Sequence, residues 1–156
     1  MNLNEAMPFL KELKIVLASK SPRRHAILKT AGFQFSLKVS DFEENLDKNS
    51  LTPNQYVLET AKAKGSLVYD QLKAENVLVV SADTIVVCSG VILEKPRDMD
   101  HELEMLSMLK EAKEHSVRTA VCIFWQNEMH SFLEETVVRM GDFSIFIPFY
   151  ARCQEP

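Results

Sequence analysis

Lys14-Ile15-Val16-Leu17-Ala18-Ser19-Lys20-Ser21-Pro22-Arg23-Arg24 is the stretch from which the fold is read. Its first half is a short β-branched and aliphatic run, which predicts a buried strand over residues 14–18. Its second half changes chemistry within three residues. Ser21 is suited to cap a helix and Pro22 to occupy the first helical position, while Gly32 supplies a stop after Leu28 and Ala31. The stretch therefore predicts a strand, a tight polar loop at the strand's carboxyl end, and a short helix. Unpaired N–H groups in a helix's first turn bind phosphate. Ser19 and Ser21 add hydroxyls, and Arg23 and Arg24 add planar forks that match phosphate oxygens. The plainer alternative is that Ser21 and Pro22 only start a helix whose arginines face water.

Working outward, residues 33–39 read as a second strand, followed by the acidic loop Asp41-Phe42-Glu43-Glu44-Asn45. Thr52, Pro53 and Gln55 form a capping-box pattern that opens a long helix from residue 53 to about 73, with Val57, Ala61, Ala63, Leu67, Val68 and Leu72 on its apolar stripe. Residues 77–82 are almost continuous Val and Leu, as in a strand covered on both faces. Asp83 stands where that apolar run ends, residues 84–88 continue as strand, and a turn follows near Gly90. A helix over residues 100–110 places Leu103, Leu106 and Leu109 on one face. Residues 117–125 and 131–139 read as strands joined by Gln126-Asn127-Glu128. Pro148 argues against a regular central strand in the apolar tail over residues 143–150.

The bulk numbers agree with one globular domain. The chain has 156 residues, 46% hydrophobic and 26% charged, which excludes disordered and fibrous classes. A formal net charge of -4 argues against a non-specific nucleic-acid binder or an anionic-membrane binder. Three cysteines, Cys88, Cys122 and Cys153, share no CxxC spacing and fit a reducing, cytoplasmic compartment. The opening residues lack a signal-peptide pattern, and no window approaches the roughly 20 apolar residues of a membrane span.

Carboxylates supply the second candidate chemistry. Asp83, at the end of an apolar run, and Glu43 or Glu44, in a loop, are candidates to share a divalent metal, or for one of them to deprotonate a metal-bound water, if the fold brings them together. Ordinary capping and loop solubility are the competing explanation. Lys62, Lys64 and Lys95 are phosphate-neutralising candidates by charge alone. The four histidines have no metal-ligand spacing, and no Walker loop is present.

Taken in order, these segments resemble the Maf family of nucleoside triphosphate pyrophosphatases, in particular the animal Maf-like domains that lie beside an acetylserotonin methyltransferase-like region. The resemblance rests on residues 15–24, Ile27-Leu28, Gly32, Phe35, Glu44, Glu59-Thr60-Ala61-Lys62-Ala63-Lys64, Ala82-Asp83-Thr84-Ile85-Val86 and Ile92-Leu93-Glu94-Lys95-Pro96. It implies an α/β, ITPase-like fold with an elongated twisted mixed sheet flanked by helices and two lobes around a cleft. It also implies hydrolysis of a nucleoside triphosphate to monophosphate and pyrophosphate, with dTTP- or UTP-type pyrimidines, or modified nucleotides, as substrates. Asp83 matches the family's proton acceptor. Ser19, Ser21, Arg23, Arg24, Lys64, Thr84 and Lys95 match substrate or phosphate positions, and Glu44 with Asp83 would hold Mg2+ or Mn2+.

The family pattern sets residues 12–156 as a Maf-like domain that is incomplete at its C-terminus, with residues 1–11 as a short extension. Gln154-Glu155-Pro156 resembles the junction before a family segment that carries a further lysine and glutamine toward substrate. Either residues 143–150 repack over the surface that segment would cover, or a homodimer interface does. A nucleotide-binding or interaction protein with impaired catalysis is the alternative to an enzyme. Two internal departures also stand out: Gly65 occupies a position where the family has alanine, which costs helix stability, and Ala120 replaces a glycine.

Overall fold

The computed structural model describes residues 12–42, 46–48, 50–72 and 76–141. In chain order the elements are β1 (Lys14–Leu17), α1 (Pro22–Thr30), β2 (Ser36–Leu37), α2 (Pro53–Leu72), β3 (Val77–Cys88), β4 (Val91–Leu93), α3 (Met99–Ala112), β5 (Glu114–Trp125) and β6 (Glu128–Arg139). This is the mixed α/β class expected. The strands form one sheet in the order β2-β1-β3-β5-β6, with β4 paired to β3. β1 runs parallel to both β2 and β3, and β4 is antiparallel to β3.

Local chemistry explains the element ends. Ser21 caps α1 by accepting from the Arg24 N–H, with Pro22 in the first turn. The other end closes as a Schellman motif: Gly32 N–H donates to Lys29 and Phe33 N–H to Leu28, with Gly32 at φ 85°. The capping box before α2 is reciprocal, since the Thr52 N–H donates to Gln55 at 3.0 Å and the Gln55 N–H to Thr52 at 3.3 Å. Ser89 and Gly90, at φ 50° and 81°, make the two-residue turn from β3 to β4.

Four elements differ from expectation in their boundaries. The strand predicted over residues 33–39 contracts to Ser36–Leu37, and its carboxyl end stops there because β1, its partner among the described residues, ends at Leu17. The last two strands begin earlier than expected, at Glu114 and Glu128. Gln126 and Asn127, at φ 48° and 64°, close a two-residue hairpin, so Glu128 belongs to the strand and not the loop. The helix placed over residues 100–110 starts at Met99 because Asp98 caps it, accepting from the His101 N–H at 2.7 Å. It extends to Ala112 because Lys113 adopts a left-handed cap at φ 56°.

Internal contacts divide the chain into two compact units. One comprises residues up to Thr84 with Arg118–Glu134; the other comprises Ile85–Val117 with residues from Glu135. The core of the first is the buried stripe of α2, made of Tyr56, Val57, Thr60, Ala61, Gly65 and Val68. It lies against buried Val79 and Ser81 of β3 and Ala120, Cys122 and Phe124 of β5. Burying an apolar side chain of valine's size or larger, such as Val57, Val68, Val79 or Phe124, stabilises the fold by about 1.5–3 kcal/mol. Ser81 donates to the Ala61 carbonyl at 2.7 Å, and Tyr69 stacks on Phe124 with ring centroids 5.8 Å apart.

Gly65 reveals why a helix-weakening residue is kept. A Cβ there would collide with the Phe124 ring and the Ser81 hydroxyl. The glycine is a packing requirement of this α2–sheet contact. Ala120 is fully buried in the same core. Among the described residues no helix is long and apolar enough to cross a membrane. β6 is the sheet's edge and leaves Phe132 and Val137 more than half exposed. The apolar tail, with Pro148 and Cys153, lies outside the described residues.

Candidate functional site

The sheet order locates the site. β1 sits between β2 and β3, and the chain leaves it toward β2 through α1 and reaches β3 through α2. Such a reversal opens a crevice at the strands' carboxyl ends, where ligands of open α/β sheets bind. Pairing runs from Lys14↔Val77 to Leu17↔Val80, and the last ladder bond joins the Ala18 N–H to the Val80 carbonyl at 2.8 Å. Beyond it β1 turns away into the Ser19–Ser21 loop while β3 continues unbroken to Cys88. Asp83 therefore lies within a twelve-residue strand and not at the end of one. It is the end of β1 that exposes this part of β3.

Arg24 occupies the gap. In a parallel ladder the next donor to β3 would be the backbone N–H of residue 20, facing the Ala82 carbonyl. Arg24 Nη1 donates to that carbonyl instead, at 2.9 Å, and also to Ser19 Oγ at 3.2 Å. Its Nη2 donates to Thr84 Oγ1 at 3.0 Å. One guanidinium thus holds both residues that flank Asp83.

Asp83 itself is buried, and its Oδ1 accepts from Lys64 Nζ at 2.8 Å. Both side chains are shielded, at 16% exposure for Lys64 and 10% for Asp83. α2 presents Lys64 one turn after Thr60 and Ala61, whose buried face fixes the helix against β3. Ser19 is nearly buried and accepts from two donors, the Ser21 N–H at 3.2 Å and Arg24 Nη1. A hydroxyl oxygen has two lone pairs, so its own proton is left to donate elsewhere. That is the polarity a phosphate oxygen requires.

The structure thus gathers Ser19, Ser21, Arg24, Lys64, Asp83 and Thr84 around the end of β1. Arg23 is exposed in the first turn of α1. Lys95 is exposed after β4, in the second unit. Glu44 lies outside the described residues. Thr119 was not singled out as a site residue, yet its Oγ1 is 3.0 Å from Thr84 Oγ1. The signal for it was present, since Thr119 is the polar member of an alternating set with Val117, Val121 and Ile123 on β5.

Among the described residues no three His, Cys, Asp or Glu side chains converge on a protein-only cage. Magnesium, however, is commonly held by one or two carboxylates together with substrate phosphates. Asp83 fits that mode, with an ion that shares its coordination with a triphosphate.

Comparison with known proteins follows the same line. The family described as Maf-like protein matches residues 14–156. The chain is 42% identical to the human "Probable bifunctional dTTP/UTP pyrophosphatase/methyltransferase protein", over 84% of this chain and 23% of that protein. It is 40% identical to "dTTP/UTP pyrophosphatase" of Schizosaccharomyces pombe, over 94% of this chain and 67% of that one. The solved Ham1 protein of Staphylococcus aureus superposes with a TM-score of 0.52 at 12% identity, over 83% of this chain and 72% of that chain, a likeness of fold. The chain therefore spans under a quarter of the human relative and about two thirds of the yeast one. With the signature loop at the end of β1 and the family match running from the first strand onward, this chain belongs to the Maf-like protein family.

Proposed function

We propose that the chain is a nucleoside triphosphate pyrophosphatase, cleaving between the α and β phosphates to release monophosphate and pyrophosphate. The observation that carries the reading is the shielded pair of Lys64 on α2 and Asp83 on β3, beside a loop in which Ser19 Oγ accepts two hydrogen bonds and so keeps its own proton to donate. Asp83 accepts the proton of the attacking water as its oxygen bonds to phosphorus. Lys64, adjacent to that carboxylate, and Arg23, on the exposed first turn of α1, offset the charge that collects on the phosphate oxygens and on the departing pyrophosphate. The N–H groups at the start of α1, with Ser21 as cap, and the Ser19 hydroxyl bind the phosphates. Lys95 adds a further cation in this reading. When bound, Mg2+ or Mn2+ supplies charge neutralisation at the phosphates, held by Asp83 and, in this reading, Glu44.

The yeast and human relatives bear dTTP/UTP pyrophosphatase in their names, which supports pyrimidine triphosphates as the substrate class. A cytoplasmic, homodimeric protein goes with this reading. The test is product analysis with dTTP, UTP, CTP and 7-methyl-GTP in Mg2+ or Mn2+. Monophosphate and pyrophosphate from dTTP and UTP are expected. Orthophosphate as the first product, or no product from a folded sample, contradicts the reading.

A further inference from the structure

We propose that Arg24 is a positioning residue, and that it acts through Ser19 and β3 without contacting phosphate. The inference rests on the proposed triphosphate reading and goes beyond it by separating two adjacent arginines that the sequence alone presents as equals.

Three observations carry it. Arg24 Nη1 takes over a backbone bond that β1 no longer supplies, at the Ala82 carbonyl. That carbonyl belongs to the residue before Asp83, so its orientation sets the peptide from which the carboxylate projects. The same Nη1 fills the second acceptor position of Ser19 Oγ, the first being filled by the Ser21 N–H. With both lone pairs engaged, Ser19 is obliged to donate, so Arg24 fixes the direction of the Ser19 proton. Finally, Nη2 donates to Thr84 Oγ1, which is paired with Thr119 Oγ1. The fork thus spans from the loop after β1 to the residues on either side of Asp83. Lysine, a single point of charge, cannot reproduce such a span. Arg23 is exposed on the same turn and, in the proposed reading, is the arginine that meets phosphate.

The test compares R24K, R24Q, R23Q and S19A with the wild type and with the double variant S19A/R24K. Two quantities are read: kcat for UTP, and Kd for a UTP analogue with a non-hydrolysable α,β linkage. R24K and R24Q are expected to lower kcat by about 100-fold, the scale of a small misplacement of reacting groups, with Kd changed less than about threefold. R23Q is expected to raise Kd by about tenfold or more. S19A and R24K are expected to be non-additive, because the Ser19 proton has lost its direction once Arg24 is replaced. A rise in Kd for R24Q equal to that for R23Q, with kcat retained, overturns the proposal in favour of direct phosphate contact. A loss of melting temperature alone, with kcat and Kd intact, overturns it in favour of a purely structural role.

Amide exchange separates this idea from the functional reading. R24Q should speed exchange over residues 18–24 and 80–84, and R23Q should not. If the wild type neither binds nor cleaves triphosphate, the functional reading fails, and unchanged exchange in R24Q would independently refute the positioning of β3 by Arg24.

Discussion

Replacing Gly65 by alanine tests the packing account because local and tertiary physics predict opposite signs. Taken as a helix position alone, Gly65→Ala should stabilise α2 by about 1 kcal/mol. The structure opposes this gain, since the new methyl would overlap the Phe124 ring and the Ser81 hydroxyl, with a second ring atom at 2.9 Å. Overpacking of this kind costs about 1–3 kcal/mol. Displacing Ser81 also endangers its 2.7 Å bond to the Ala61 carbonyl, worth about 1 kcal/mol more. The balance is a net loss of about 1–3 kcal/mol, or roughly 2–12 °C in Tm for a domain of this size. Urea and thermal unfolding followed by circular dichroism read it directly. Phe124→Leu in the same chain should relieve the clash, giving a coupling of about 1 kcal/mol or more between the two substitutions. A Gly65→Ala protein as stable as the parent, or more stable, would refute the close approach of α2 to β3 and β5.

Two further outcomes follow from single residues. Lys113 holds a left-handed conformation at φ 56° as the cap of α3, so Lys113→Gly should raise stability by about 0.5–1 kcal/mol, seen as a higher urea midpoint at unchanged slope. Burial, reinforced by Glu59 and opposed by Lys62, pushes the Cys122 thiol above its ordinary value of 9.0. Above that pH the unfolded chain has released a proton that the native chain keeps, so native stability falls as pH rises, by up to about 1.4 kcal/mol per unit. The difference in urea midpoint between wild type and Cys122→Ala should therefore shift with pH from 8 to 10, and a constant difference would show that Cys122 is not desolvated.

What was legible in the sequence is what short-range chemistry controls. Ser21, Pro22 and Gly32 specify both ends of α1, and Thr52 with Gln55 specifies the start of α2, since each signal and its partner lie within a few residues. The fold class followed from the apolar run of β3 and from the family pattern. What was not legible depends on contacts between distant segments. Residues 84–88 already read as strand beyond Asp83, but that β1 ends beside it and leaves this part of β3 open is a fact of sheet order. Arg24 meets Thr84 across 60 positions, and Lys64 meets Asp83 across 19. Gly65 looked like a lapse in a helix until Phe124 was placed against it. Thr119 acquired its place only when β5 was set beside β3.

Asp83, shielded and paired with Lys64, is the residue proposed to perform the chemistry at the end of β1. The most direct test measures pyrophosphate release from dTTP and UTP by the wild type and by Asp83→Asn, alongside Kd for a UTP analogue with a non-hydrolysable α,β linkage. Wild-type turnover that falls by about 100-fold or more in Asp83→Asn, with the analogue still bound, is the predicted result. Turnover retained in Asp83→Asn would place the proton acceptor elsewhere and contradict the account.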